Sequence, residues 1–297
     1  MNRKERRVAA KGPVTGGSGA ASLLTLAEAH RHNGRLGEAD ALCARLLAVQ
    51  PNHAQALHMR GLLAFQQERP VDALTYFKQA LEVAPAVAAI HDGLAEAYRA
   101  VGQPVDAERH YRRVAELWPG AVTCLNLGNA LMELQRPGDA LGIYQSALRF
   151  DARLPEAYNG LGTALAALGQ TQAADAFLRA IALRPGFALA HEGLIDAYLG
   201  ADDWQAALRA TCQALRHADT PKLRTQFVDS VVGAVLTADI PGLRETMQRA
   251  LVERWTRPQD LARAACDIVI LETPFNVMDA LLPVSYTHLT LPTICSV

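Results

Sequence analysis

"GRLGEADALCARLLAVQP" (34–51), "ERPVDALTYFKQALEVAP" (68–85) and "GQPVDAERHYRRVAELWP" (102–119) decide the fold. The three stretches lie in register, with Ala39, Ala73 and Ala107 at one position and Pro51, Pro85 and Pro119 at another. A fixed period of this length marks a repeat architecture and outranks any local reading. The pattern continues through "RPGDALGIYQSAL" (136–148), "QTQAADAFLRAIALRP" (170–185) and "DWQAALRATCQAL" (203–215). The marker alanine recurs there as Ala140, Ala173 and Ala207, and the period slips by one at the first two of these steps. Upstream of each lies a second helical half: "LLTLAEAH", "LHMRGLLAF", "HDGLAEAY", "CLNLGNAL", "YNGLGTAL" and "HEGLIDAY".

Each period therefore reads as two antiparallel helices. Small residues, such as Gly128 in the first helix and Ala140 in the second, let the two axes approach closely. The large residue four places after the marker alanine (Phe77, Tyr111, Tyr144, Phe177) fills the gap toward the next pair. The closing proline cannot continue a helix and sets the turn. No single pair can bury its apolar face, so stability comes from stacking neighbours. Twelve helices are expected between residues 20 and 218, with Ala39, Ala73, Ala107, Ala140, Ala173 and Ala207 buried.

These residues resemble the tetratricopeptide repeat (TPR) pattern: a large residue, Leu-Gly, an aromatic, an alanine, a second aromatic and a proline. The match is carried by Leu127, Gly128, Ala140, Tyr144 and Ala147 in the fourth repeat, and by Tyr158, Leu161, Gly162, Phe177 and Pro185 in the fifth. Departures occur at Ala27 and Cys43 in the first repeat, and at Ile195 and Thr211 in the sixth. The resemblance implies an all-α, right-handed α-solenoid of about six TPR helix pairs over residues 20–218, with further helices after it.

In such arrays, ligands usually lie on the concave face lined by the first helices. The residues placed there are Glu28, Arg31, His58, Phe65, Asp92, Glu96, Arg99, Asn126, Asn129, Glu133, Asn159, Glu192 and Asp196. Six are acidic and two are arginine, a balance that suits a basic or amide-rich extended peptide. Asn126 and Asn159 can grip a peptide backbone, since an amide both donates and accepts. The array implies non-catalytic binding of a protein or peptide. The alternative is the substrate-recruiting N-terminal part of a transferase, of methyltransferase or glycosyltransferase type. The stretch after the repeats is loosely similar to what precedes the catalytic domain in some bacterial TPR-linked methyltransferases.

The composition narrows the options further. The net charge of -1 gives no overall nucleic-acid footprint, so nucleic-acid binding is not expected. Only Lys4, Lys11, Lys78 and Lys222 are lysines among 29 basic residues, an arginine and alanine bias typical of GC-rich bacterial coding. Cys43, Cys124, Cys212, Cys266 and Cys295 are scattered and form no C-x-x-C pair, which suits core positions in a reducing cytoplasm. "HEGL" (191–194) begins like a zinc motif, but Ile195 stands where its second histidine belongs, and His91 and His191 fall at the large buried repeat position. No phosphate loop, nucleophile elbow or metal spacing is present, and no cofactor is expected.

Outside the repeats, residues 1–19 read as a basic tail and linker without the apolar core of a secretory signal. No run of about 18 apolar residues suggests a membrane span. Helices are expected over 221–238, 240–255 (with Pro241 starting it) and 257–272, forming a cap or the start of a following domain within 219–282. Residues 283–297 differ from everything before them, with no alanine, arginine, glycine or formal charge. "VSYTHLTLPT" (284–293) is one reading frame of a transposase sequencing adapter, and an index followed by GTGTAG would give the remaining residues and a stop. Residues 284–297, with Pro283 in part, are therefore expected to be translated adapter, and the native reading frame is expected to break off near Leu282.

Overall fold

The computed structural model describes residues 17–234, 240–257, 260–262 and 264–265. Among these residues there is no strand, and fourteen helices follow one another. The chain divides into two compact units, Met1–Phe150 and Asp151–Val297.

The first unit contains four helix pairs: α1 (Gly17–His32) with α2 (Leu36–Val49), α3 (Ala54–Gln66) with α4 (Pro70–Val83), α5 (Ala88–Ala100) with α6 (Pro104–Leu117), and α7 (Ala121–Glu133) with α8 (Pro137–Phe150). The second contains α9 (Pro155–Ala167) with α10 (Ala173–Leu183), α11 (Ala188–Gly200) with α12 (Trp204–Ala214), then α13 (Pro221–Gly233) and α14 (Leu243–Val252). In each unit the helices pack as consecutive pairs, and each pair stacks on the next. The expected twelve repeat helices are α1 to α12.

The turn inside each pair has one design. Gly34, Glu68, Gly102, Gln135, Gly169 and Asp202 recur once per repeat and adopt left-handed φ between 56° and 75°. The amide of the following residue donates to the carbonyl five back, as in Arg35 to His30 and Gln103 to Tyr98. This closes the first helix with a Schellman motif. Pro70, Pro104 and Pro137 then open the second helix, where a missing N–H costs nothing. Pro51, Pro85 and Pro119 lie just past the ends of α2, α4 and α6 and release the chain into the next pair.

All six marker alanines are buried. Each unit also contains an aromatic ring clamped between two glycines. A Cβ built on Gly61 would overlap the Phe77 ring, and one on Gly93 would lie 2.7 Å from it. Phe177 sits likewise between Gly162 (2.8 Å) and Gly193 (2.6 Å). The departures from the repeat pattern are absorbed within the core: Ala27, Cys43, Ile195 and Thr211 are all buried. His91 and His191 are buried as well, with ring Nε2 atoms 3.0 Å and 2.7 Å from the carbonyls of Pro85 and Pro185. Cys43, Cys124 and Cys212 are buried free thiols.

Beyond the repeats, the structure extends the pattern further than the sequence suggested. Gln226 on α13 stands one repeat period after Glu192 and donates to the Glu192 backbone carbonyl at 2.9 Å. Helix α13 packs on α11 and α12 in the place of the next first helix. Asp219, Arg224, Arg249 and Glu253 tie α13 to α14 around the Trp255 ring. Pro241 lies in the turn before α14, whose first residue is Leu243, because Gly242 with φ 84° makes the entry. Most of the helix expected over 257–272 lies outside the described residues, as do the basic residues of 1–16 and all of 284–297. No helix of the described residues is long and apolar enough to cross a membrane.

Candidate functional site

The residues expected to meet a ligand project from first helices, where spacings of three, four and seven share a face. In the first unit they fall into two groups. Glu28 and His58 line a groove of about 580 Å³ between α1 and α3, together with Leu24, Gln55 and Met59. Arg31 donates to Glu28 at 2.5 Å, and His32 lies 2.9 Å from the same oxygen. The hydrogen bond from Arg31 holds the Glu28 carboxyl below its ordinary range. His58 stacks obliquely near Phe77, its Nε2 3.2 Å from the carbonyl of Ala89, and burial lowers its pKa. Phe65 packs against the core cluster around Phe77 and Leu94, so much of its ring serves the fold.

The second group joins α5 to α7. Arg99 donates to Glu96 at 2.8 Å and to Glu133 at 3.4 Å. The Tyr111 hydroxyl donates to the other Glu96 oxygen. Asp92, one turn before Glu96, is half-buried; burial and then the Glu96 charge raise its pKa. On α7, Asn129 accepts a 2.8 Å bond from the Tyr144 hydroxyl. Asn126 is half-buried and makes no side-chain hydrogen bond with another described residue.

In the second unit, Asn159, Glu192 and Asp196 line one groove of about 880 Å³ between α9, α10 and α11. Ala166, Phe177, Leu189, Gly193 and Ala197 give it an apolar floor, and Thr163, Asp203 and Lys222 complete a polar rim. The Asn159 Oδ1 is shielded from solvent and has no hydrogen-bond partner among the described residues. Glu192 is 9% exposed, and its Oε1 accepts from the Thr220 hydroxyl at 2.7 Å. Asp196 accepts from Gln226 at 2.5 Å and from Lys222 at 2.7 Å. Thr220, Lys222 and Gln226 were not anticipated from the sequence. The signal that would have found them is the full repeat period separating Glu192 from Gln226. Among the described residues no group of three or more His, Cys, Asp or Glu is placed to hold a metal ion.

Comparison with known proteins agrees with this architecture. Family models described as tetratricopeptide repeat match residues 19–86, 64–120, and 125–186 with 171–222. No curated protein matches the chain. Among solved structures, the chain is similar to YrrB, described as a TPR protein with an unusual peptide-binding site, at 20% identity and a TM-score of 0.53 over 61% of this chain and 95% of that one. It is similar to PilF of Pseudomonas aeruginosa at 18% identity and a TM-score of 0.52, over 72% of this chain and 90% of that one. MamA of Desulfovibrio magneticus RS-1, in a form running from residue 41 to its end, matches at 19% identity and a TM-score of 0.52 over 55% of this chain and 93% of that one. At these identities the likeness is one of fold. The repeat matches together span well over half of the sequence, and the chain belongs to the tetratricopeptide repeat family.

Proposed function

We propose that this chain is a non-catalytic scaffold whose first-helix faces hold an extended, basic or amide-rich segment of a partner protein. The observation that carries the reading is the groove of the second unit. It has an apolar floor, an acidic rim, and at Asn159 a shielded acceptor that no described residue satisfies. The great majority of buried polar atoms are hydrogen-bonded, so an unsatisfied acceptor on a groove-lining side chain is suited to a peptide N–H once its amide turns toward the groove. Asn126 stands at the equivalent position of the preceding repeat and is also without a partner among the described residues. YrrB, of the same fold, carries a peptide-binding site by its own description, which adds weight to a peptide as ligand.

An array of short unrelated peptides tests this reading. The chain is expected to favour peptides rich in arginine, lysine, asparagine and glutamine over acidic ones. Replacing Asn126 and Asn159 together by alanine should weaken the bound set about tenfold or more while leaving the melting curve in place, since each lost peptide hydrogen bond is worth about 1 kcal/mol. A preference for acidic peptides, or binding indifferent to both asparagines, would contradict the assignment.

A further inference from the structure

The acidic rim of the second groove is held ready by residues that leave part of it open. Gln226, itself buried, fixes Asp196 Oδ1 at 2.5 Å and the Glu192 carbonyl at 2.9 Å. Thr220 fixes Glu192 Oε1. This leaves Asp196 Oδ2 and Glu192 Oε2, and one cation reaches both: Lys222 Nζ, at 2.7 Å and 3.9 Å. Lys222 is half-exposed and stands in the first turn of α13 on a flexible stem. An ammonium is a point charge, whereas an arginine fork can engage two carboxylate oxygens at once.

The equivalent helix of the first unit is arranged differently. Asp92 and Glu96 occupy the places of Glu192 and Asp196, one hundred positions earlier. There Glu96 is locked by Tyr111 and by Arg99, which also spans to Glu133. In the second unit those two places hold Thr211 and Leu199. The Thr211 hydroxyl turns back to the Ala207 carbonyl at 2.6 Å. Asp196 therefore depends on Gln226 and on an exchangeable lysine.

We propose that Glu192 and Asp196 form the seat for an arginine or lysine side chain of the bound segment, and that Lys222 occupies this seat as a tethered stand-in which the ligand displaces. The occupant is an extended peptide whose cation enters the seat while its backbone N–H meets the Asn159 amide, which turns its Oδ1 out into the same groove. The inference rests on the peptide-binding reading above and adds to it a position, a ligand charge and an internal competitor. It makes Lys222 an inhibitor of binding, although it is one of only four lysines in a chain with a groove suited to bases.

The test is fluorescence anisotropy with a labelled peptide of alternating arginine and alanine, and a glutamate–alanine peptide as control. Lys222→Met keeps the apolar stem and removes the charge; it is expected to bind the arginine peptide about fivefold more tightly than the unchanged chain, as freeing a partly exposed ion pair allows. Asp196→Asn is expected to weaken binding by at least as much, and Lys222→Met should give no gain in that background. Lys222→Gln provides a second neutral variant should the methionine disturb α13, and Lys222→Arg is expected to bind no better than the original. If the unchanged chain binds and both neutral variants bind equally or more weakly, the stand-in is overturned while the scaffold reading survives. If the peptide array shows no basic preference at all, both fall together.

Discussion

The pair α5–α6 and the pair α11–α12 stand one hundred positions apart, and each repeats the same close-contact residues beneath a different face. Their interiors share the residues that set the close helix contacts, although Ile90 and Ala95 give way to Ala190 and Ile195. His91 and His191 each approach a proline carbonyl, Gly93 and Gly193 each press on the phenylalanine of the preceding pair, and Ala107 and Ala207 are both fully buried. Their first-helix faces, and the side chains that reach up to them from within, diverge. Arg99 and Tyr111 make the first face a closed hydrogen-bonded network, and Leu199 and Thr211 leave the second to be completed by α13. Packing restricts the interior to a few side chains of the right volume, whereas a face tolerates any set of polar groups that solvent or a ligand can satisfy. The core therefore reports the family, and the face reports what this member binds.

The largest effect is expected at the glycines that both pairs share. A glycine-to-alanine change inside a helix ordinarily stabilises by about 1 kcal/mol. At Gly93 and Gly193 the added methyl would lie 2.7 Å and 2.6 Å from a ring already pressed from the other side by Gly61 or Gly162. Neither ring has room to retreat, so each substitution is expected to destabilise by about 1–3 kcal/mol in chemical denaturation. A stabilised variant at either site would show that the two cores are not the same clamp.

A smaller effect sharpens the divergent part. His110 stacks on Tyr98 with ring centroids 5.5 Å apart, and its Nδ1 lies 2.9 Å from Nδ1 of His91. Burial first, then His91, Arg109 and Lys78, bring the pKa of His110 down to about 4, against an opposing pull from Asp106. The folded state thus resists a proton that the unfolded chain accepts. The stabilising contribution is complete above the ordinary histidine pKa and is lost as pH falls from there toward 4. His110 is part-exposed, so solvent screening reduces the effect, and a fall in melting temperature of about 2–4 °C is expected across that window. Ala210 stands at the matching place of α12, so His110→Gln should remove most of the slope. An equal slope in that variant would place its origin elsewhere.

The fold was legible in the sequence because its markers are small residues that nothing else can replace. The regular steps between alanines mark six helix pairs, and all six alanines are buried. Helix α13 (Pro221–Gly233) was expected as a helix, but its place in the repeat register was not, because its interior residues change character: Phe227 stands where Gly193 does in α11, and it is buried against a larger partner, Trp255, at 5.7 Å between rings. With the glycine gone, the repeat loses its most visible letter while keeping its packing place. The candidate face was legible only as a set of helix positions. Which carboxylates are locked, and which are held by an exchangeable lysine, depends on residues from other helices, such as Tyr111 for Glu96 and Gln226 for Asp196. The left-handed turn residues Glu68, Gln135 and Asp202 were likewise hidden, because glycine fills the other three places.

On the proposed function, a ligand contacts the first helices of the pairs. Hydrogen–deuterium exchange of the chain with and without the arginine–alanine peptide tests it most directly. Slowed exchange is expected in the first helices, above all in α9 and α11 around Asn159, Glu192 and Asp196, with the N-terminal turn of α13 exchanging faster as Lys222 is displaced. Protection confined to the second helices, or spread evenly over both helices of every pair, would contradict it.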